Sequence, residues 1–262
     1  MLRLWRVGLL SGLALAAAPA HAFIAYVSNE KSNTVSVIDT ESWTVTKTIK
    51  VGQRPRGIEF TRDGKFVMVA VGDDDTIQLI DAKTQSVVDS LPSGPDPELF
   101  AQDAAGKTLY VANVLVDARP RFAEFRHDSS ELWVSSEIGG TVSIIDPRKH
   151  EVTGKVTFEI PGLRREAIQP VGIGMTKDDK TAFIALGPAN RVAVVDIATR
   201  KVTKYLLVGQ RVWHVAFTPD EKYLLSTNGV SNDVSVVDVA SLRIIKTIQV
   251  GELPWGITIS RE

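Results

Sequence analysis

The chain of 262 residues contains no cysteine, which excludes disulfides, thiolate metal sites and the Cys-x-x-Cys-His attachment of covalent haem. Histidine is nearly as scarce. Four are present, and past the N-terminal segment only His127, His150 and His214 remain, with no spacing suited to a shared metal. Charge of one sign is missing too, since Lys plus Arg number 30 and Asp plus Glu 31. With no basic stretch and no aromatic platform in a basic groove, nucleic acid is not expected as a partner. Neither a Gly-x-Ser-x-Gly elbow nor a glycine-rich phosphate loop occurs, so the common nucleophile and nucleotide signatures are absent.

No apolar run reaches the roughly 20 residues that a membrane-spanning helix needs. The longest, Val7 to Ala18, follows Arg3 and Arg6 and leads to Ala20-His21-Ala22, a small-x-small cleavage site. Residues 1–22 therefore read as a secretory signal peptide, which places the mature chain in the periplasm with no membrane span once it is cleaved. Cleavage would also remove Arg3 and Arg6, leaving the mature chain more acidic.

What the chain has in abundance is repetition. The strand Val35-Ser36-Val37-Ile38-Asp39 returns as Ile77 to Asp81, Val142 to Asp146, Val192 to Asp196 and Val234 to Asp238. Asp39 and Asp81 lie 42 residues apart, as do Asp196 and Asp238. A period near 40 built from short β-branched runs and Asp/Gly turns predicts an all-β fold, a β-propeller of four-stranded antiparallel blades. Residues 23–262 form the single predicted propeller domain. The chain starts inside a unit and ends on a first strand, Gly256 to Ser260, so the C-terminal strand is expected to join the N-terminal blade and close the ring.

Tyr26-Val27-Ser28-Asn29, Tyr110-Val111-Ala112-Asn113, the Val-x-Val-Ile-Asp strands and Val51-Gly52-Gln53-Arg54-Pro55-Arg56-Gly57 resemble the YVTN family of β-propeller repeats. Within it the chain is most similar to the periplasmic propellers associated with PQQ-dependent alcohol catabolism. The resemblance implies seven blades, whereas the spacing here gives about six units, one of them truncated. The shortened blade falls around residues 108–125, because Val116 to Pro120 follows Ser93 to Pro97 after only 23 residues, with a polar turn and a strand missing between Asn113 and Val114. A gap of about one and a half units hints at an internal deletion relative to the family. In the next unit Pro161 to Ile168 is an insertion, expected as a loop at one mouth of the ring.

The recurring aspartates sit at one register per blade and read as turn caps rather than catalytic acids. Candidate function falls instead on the connections that deliver each inner strand to the channel. Flanking the proline column are Arg54, Asp96, Arg119, Gln169, Arg211 and Leu253 on one side, and Arg56, Glu98, Arg121, Val171, Trp213 and Trp255 on the other. Five arginines against two acids at a concave mouth favour an anion or an acidic partner patch. Arg54, Arg56, Arg119, Arg121, Arg211, Trp213, His214 and Trp255 are thus the predicted ligand-binding residues. Guanidinium forks beside flat rings suit a planar polycarboxylate, and PQQ is the one that the resemblance implies. Each arginine has a second reading, as a solvated turn residue or the partner of a carboxylate such as Asp96 or Glu98. Trp213 and Trp255 can equally pack between blades, as Trp43 and Trp133 are expected to do.

No catalytic constellation is visible, so the expected function is a non-catalytic periplasmic binding or assembly protein serving PQQ-dependent alcohol oxidation. Its partner would be a small anion or a PQQ-dependent dehydrogenase or other periplasmic protein. The alternatives are a propeller enzyme, lactonase-like or quinoprotein-like, and a structural interaction protein of the cell envelope.

Overall fold

The computed structural model describes residues 23–93, 96–98, 101–102, 109–110 and 116–260. The predicted signal peptide and the junction between Asn113 and Val114 lie outside the described residues. In chain order the strands are β1 (Ile24–Asn29), β2 (Thr34–Asp39), β3 (Thr44–Lys50), β4 (Pro55–Phe60), β5 (Phe66–Val71), β6 (Thr76–Asp81) and β7 (Ser86–Pro92). A short pair follows, β8 (Ala101–Gln102) and β9 (Leu109–Tyr110). Next come β10 (Pro120–Phe125), β11 (Leu132–Ser136), β12 (Thr141–Asp146), β13 (Glu151–Thr157), β14 (Pro170–Met175), β15 (Thr181–Leu186), β16 (Arg191–Asp196) and β17 (Lys201–Leu207). The last are β18 (Val212–Phe217), β19 (Tyr223–Asn228), β20 (Asp233–Asp238), β21 (Arg243–Gln249) and β22 (Pro254–Ile259).

These strands make five antiparallel four-stranded blades, ordered β22-β1-β2-β3, β4-β5-β6-β7, β10-β11-β12-β13, β14-β15-β16-β17 and β18-β19-β20-β21. Five corrects the sequence-based count of about six units. The difference is the truncated unit, in which the described residues form only the two-stranded β8–β9 sheet. The last strand pairs with the first, Ala25 opposite Ile259 and Val27 opposite Ile257.

The third strand of each blade ends on the repeating aspartate, which caps the turn that follows. Asp39 Oδ1 accepts from the backbone of Glu41 and Ser42, and Asp81, Asp146, Asp196 and Asp238 do the same in their own turns. These bonds to the ionised form hold all five carboxyls below the usual range. The caps are structural, as the register implied.

Burial lies between blades rather than within one. Four apolar clusters each draw from two neighbours. Tyr26, Val35 and Val37 pack with Val67, Val69 and Ile80, and Trp133, Val142 and Ile144 with Ile173, Ile184 and Ala193. Phe183 and Val194 meet Leu224 and Val237, and Leu225 and Val236 meet Ala25, Val27 and Ile38. A sheet buried on both faces has to stack on its neighbours to remove that surface from water. The outer strands show the same dependence. Their sixth residue is buried at Ile49, Val156, Leu206 and Ile248, yet Leu91 of β7, the strand before the truncated unit, is 44% exposed.

Candidate functional site at the channel mouth

The inner strands β4, β10, β14, β18 and β22 carry one recurring irregularity. Pairing skips between Pro55 and Ile58, Pro120 and Phe122, Pro170 and Ile173, Val212 and Val215, and across Trp255-Gly256. A bulge of this kind inserts an extra residue and re-aims side chains. Hydroxyls hold two of these bulges to their neighbours. Thr227 Oγ1 accepts from His214 N at 3.0 Å and donates to Trp255 O in the next blade at 2.7 Å. Ser28 Oγ accepts from Gly256 N at 3.0 Å and donates to Arg56 O.

Before four of the five bulges the chain turns through a left-handed residue, with φ of 59° at Arg54, 60° at Arg119, 58° at Arg211 and 51° at Leu253. Asparagines of the preceding blade latch three of these turns. Arg54 N donates to Asn33 Oδ1 at 3.0 Å, Arg211 N to Asn190 Oδ1 at 2.9 Å and Leu253 N to Asn232 Oδ1 at 2.9 Å. The connections are therefore fixed, and their side chains converge on one end of the channel.

There the five arginines meet carboxylates. Arg54 pairs with Asp73 at 2.7 Å and with Asp96, and Arg56 with Glu30 at 2.9 Å and with Glu98. Arg121 reaches Glu98 at 2.9 Å and Glu137 at 3.1 Å. Glu137, only 2% exposed, also receives Arg119 at 3.2 Å and Arg211 at 2.9 Å. Asp96 and Glu98 are thus the partners that the second reading of the arginines named. Glu30, Asp73 and Glu137 escaped the sequence reading, because they stand just past the second strand of each blade and not beside the proline column. A signal was available: the first residue after that strand runs Glu30, Gly72, Glu137, Gly187 and Gly229. The acids there hold arginines, while two of the glycines make room. A Cβ on Gly72 would stand 2.7 Å from the Arg54 guanidinium, and one on Gly229 2.6 Å from Trp213 Nε1.

Charge at the mouth is lopsided. Arg54 has Asp73 and Asp96 to itself, whereas Arg119, Arg121 and Arg211 share Glu137, with Glu98 shared between Arg121 and Arg56. One Glu137 oxygen lies buried without an aligned hydrogen bond although two guanidinium groups are near it. Burial pushes the Arg121 and Arg211 guanidinium groups down from their usual value, and Glu137 opposes that shift. Arg211 stacks over Trp213 at 4.4 Å and Arg121 lies 5.5 Å from the same ring. Trp213 stacks on Trp255 at 6.1 Å. His214 is buried between Trp255 at 4.7 Å and Phe122 at 4.9 Å, and desolvation, with Arg121 nearby, drops its pKa to about 3.

The structure places all eight predicted site residues at the start of inner strands or in the turns that lead into them, at one end of the blades. Trp255 is buried as packing, Trp213 is partly exposed, and Arg119 offers 53% of its side chain to solvent. The Pro161 to Ile168 insertion sits beside them: Arg165 Nη2 donates to Gly139 O, and Gln169 accepts from Arg211 at 3.0 Å. His127 and His150 are exposed in separate turns. Among the described residues no group of three metal-ligating side chains gathers, and no helix is long and apolar enough to cross a membrane.

A family model described as YNCE-like beta-propeller matches residues 7–117. That match does not confirm the PQQ-associated resemblance. No curated protein matches. Among solved structures, a protein from Lactobacillus plantarum superposes with a TM-score of 0.71 at 11% identity, over 91% of this chain and 99% of that one. Apo AztD from Citrobacter koseri gives 0.64 at 11% identity, over 91% and 97%. Hydrazine synthase of Kuenenia stuttgartiensis gives 0.39 at 17% identity, and the alignment spans 84% of this chain and 61% of that one. Likeness at such identities concerns the fold alone: the chain is similar to β-propellers.

Proposed function

We propose that this chain is a non-catalytic binding protein of the periplasm, exported by residues 1–22, whose ring is closed by β22 and whose channel mouth receives a planar anion. The observation that carries the reading is the trio Arg119, Arg121 and Arg211 around one buried carboxylate, two of them beside the Trp213 face. Cations in excess over the local acid leave guanidinium donors for a further carboxylate, and the ring face fits a flat molecule. PQQ, which the sequence resemblance implied, has both features, and an acidic patch on a PQQ-dependent dehydrogenase would present the same charge. Among the described residues no positioned nucleophile and base accompanies the arginines, which favours binding over chemistry.

Calorimetric titration of residues 23–262 with PQQ tests this. Saturable binding that weakens with salt is expected, with Arg119→Ala losing about tenfold in affinity, the value of one charge-assisted hydrogen bond. Arg119 is half exposed, so the variant should melt as the parent does. A cooperatively folded parent that fails to bind, or an Arg119→Ala variant that binds equally well, would overturn the reading.

A further inference from the structure

The turn after the second strand of each blade lies at the same end as the arginines, because its backbone is bonded to the connection that carries them. Glu137 N donates to Arg119 O and Gly139 N to Ala118 O, while Gly229 N donates to Arg211 O and Val230 N to Gln210 O. The second residue of that turn is therefore a rim position. From the β1 blade onward it runs Lys31, Asp73, Ile138, Pro188 and Val230, so two blades present charge at the rim and three present apolar side chains.

Tight turns favour Gly, Asn, Asp and Ser, and a branched apolar side chain standing in water there adds nothing to the core. Ile138 is nevertheless 63% exposed and Val230 56%. Leu207, at the end of β17, is 64% exposed, and the next residue donates from its backbone to Asn190 O in the Pro188 turn at 3.1 Å. Leu163 of the insertion is exposed too, and Arg165 ties that insertion to the Ile138 turn through Gly139 O. From there Gln169 Oε1 accepts from Arg211, which the Val230 turn holds. The exposed apolar residues thus form one sector of the rim, across the blades led by β10, β14 and β18.

Charge divides along the same line. Around the β1 and β4 blades the described turns and connections at this end expose Asp73, Asp74, Asp75, Asp96 and Glu252 against one cation, Lys31. Around the other three they expose Arg119, Arg164 and Arg165 against Glu159 and Glu166. A cationic and apolar sector is complementary to acidic groups set around apolar side chains, and the acidic sector beside it repels the same groups from the rest of the face.

We propose that this sector docks a second protein through a segment in which apolar side chains stand between carboxylates. The apolar side chains cover Ile138, Leu163, Leu207 and Val230, and the carboxylates meet the guanidinium groups of Arg119 and Arg165. A protein segment fits this face better than a bilayer does, because a flat anionic surface would also press on the five exposed acids. The surface shares Arg119 with the anion-binding reading but rests on the apolar tips, which that reading does not use.

The test is calorimetric titration of residues 23–262 with the capped peptide Glu-Glu-Leu-Phe-Glu-Glu. Its controls are Lys-Lys-Leu-Phe-Lys-Lys and Glu-Glu-Ser-Ser-Glu-Glu. Expected are saturable binding of the first that weakens with salt, at least about tenfold weaker binding of both controls, and a loss of about tenfold in the Ile138→Ser/Val230→Ser double variant. Both side chains are exposed, so the double variant should melt as the parent does. No binding of the acidic peptide by a cooperatively melting parent, equal binding of either control, unchanged affinity in the double variant, or binding to phosphatidylglycerol vesicles in place of the peptide would each overturn the proposal. Peptide binding by a parent that does not take up PQQ would overturn the anion reading alone, and the reverse result would overturn the docking surface alone.

Discussion

Two residues of the channel set opposite pH dependences on stability. Glu124 is raised from 4.5 to about 7 in the fold, so the native state holds the extra proton, and stability fully present below pH 4.5 is lost as pH rises through 7. His214 is lowered from 6.5 to about 3, so the unfolded chain binds the extra proton, and stability present above pH 6.5 is lost as pH falls towards 3. Glu124→Gln should therefore raise stability at pH 8 by about 1–3 kcal/mol while changing little at pH 4, as denaturant melts at the two pH values would show. A variant equally affected at both would mean that the carboxyl is not held protonated. The turn-capping aspartates act on the acid side only. Their folded carboxyls sit below 3.8, so their contribution is whole above that value and fades as pH falls past it.

At the scale of elements, blades are joined by small polar devices as well as by apolar faces. Thr227 is fully buried and links the bulge of its own blade to that of the next. Thr227→Val keeps the shape but strands the His214 N–H and the Trp255 carbonyl, which should cost about 1–3 kcal/mol in chemical denaturation. An unchanged midpoint would mean that the bulges are held by strand pairing alone. The strands, their antiparallel order and the aspartate turns were legible from the sequence, because each depends on local chemistry repeated five times. The mouth was legible only by half. The proline column located the arginines and tryptophans, but their counterions Glu30, Asp73 and Glu137 come from a different turn, the one after the second strand, in the same blade for Arg54–Asp73 and Arg121–Glu137 and in the adjacent blade for Arg56–Glu30. Nothing in a one-dimensional count puts those two columns side by side.

At the scale of the whole molecule, the site has no existence apart from the stacked blades. Its residues come from the blades led by β4, β10, β18 and β22, and Glu98 bridges the first two by pairing with both Arg56 and Arg121. Between β7 and β10 the described residues form only the short β8–β9 pair in place of four strands, and Leu91 of β7 is exposed. The first and last blades are joined by the pairing of β22 with β1, and the β4 and β10 blades by Glu98 of the 96–98 segment. Four tryptophans report on residues 23–262, with Trp213 and Trp255 at the mouth, Trp133 in the core between blades and Trp43 against Tyr223. The measurement that bears most directly on this architecture is thermal unfolding of residues 23–262, followed in parallel by tryptophan fluorescence and far-ultraviolet circular dichroism. A closed ring that holds the mouth together predicts one transition with coincident midpoints for both probes. Two separated transitions, with fluorescence lost before the strands, would contradict it and would mean that the mouth belongs to an open end of the array rather than to a ring.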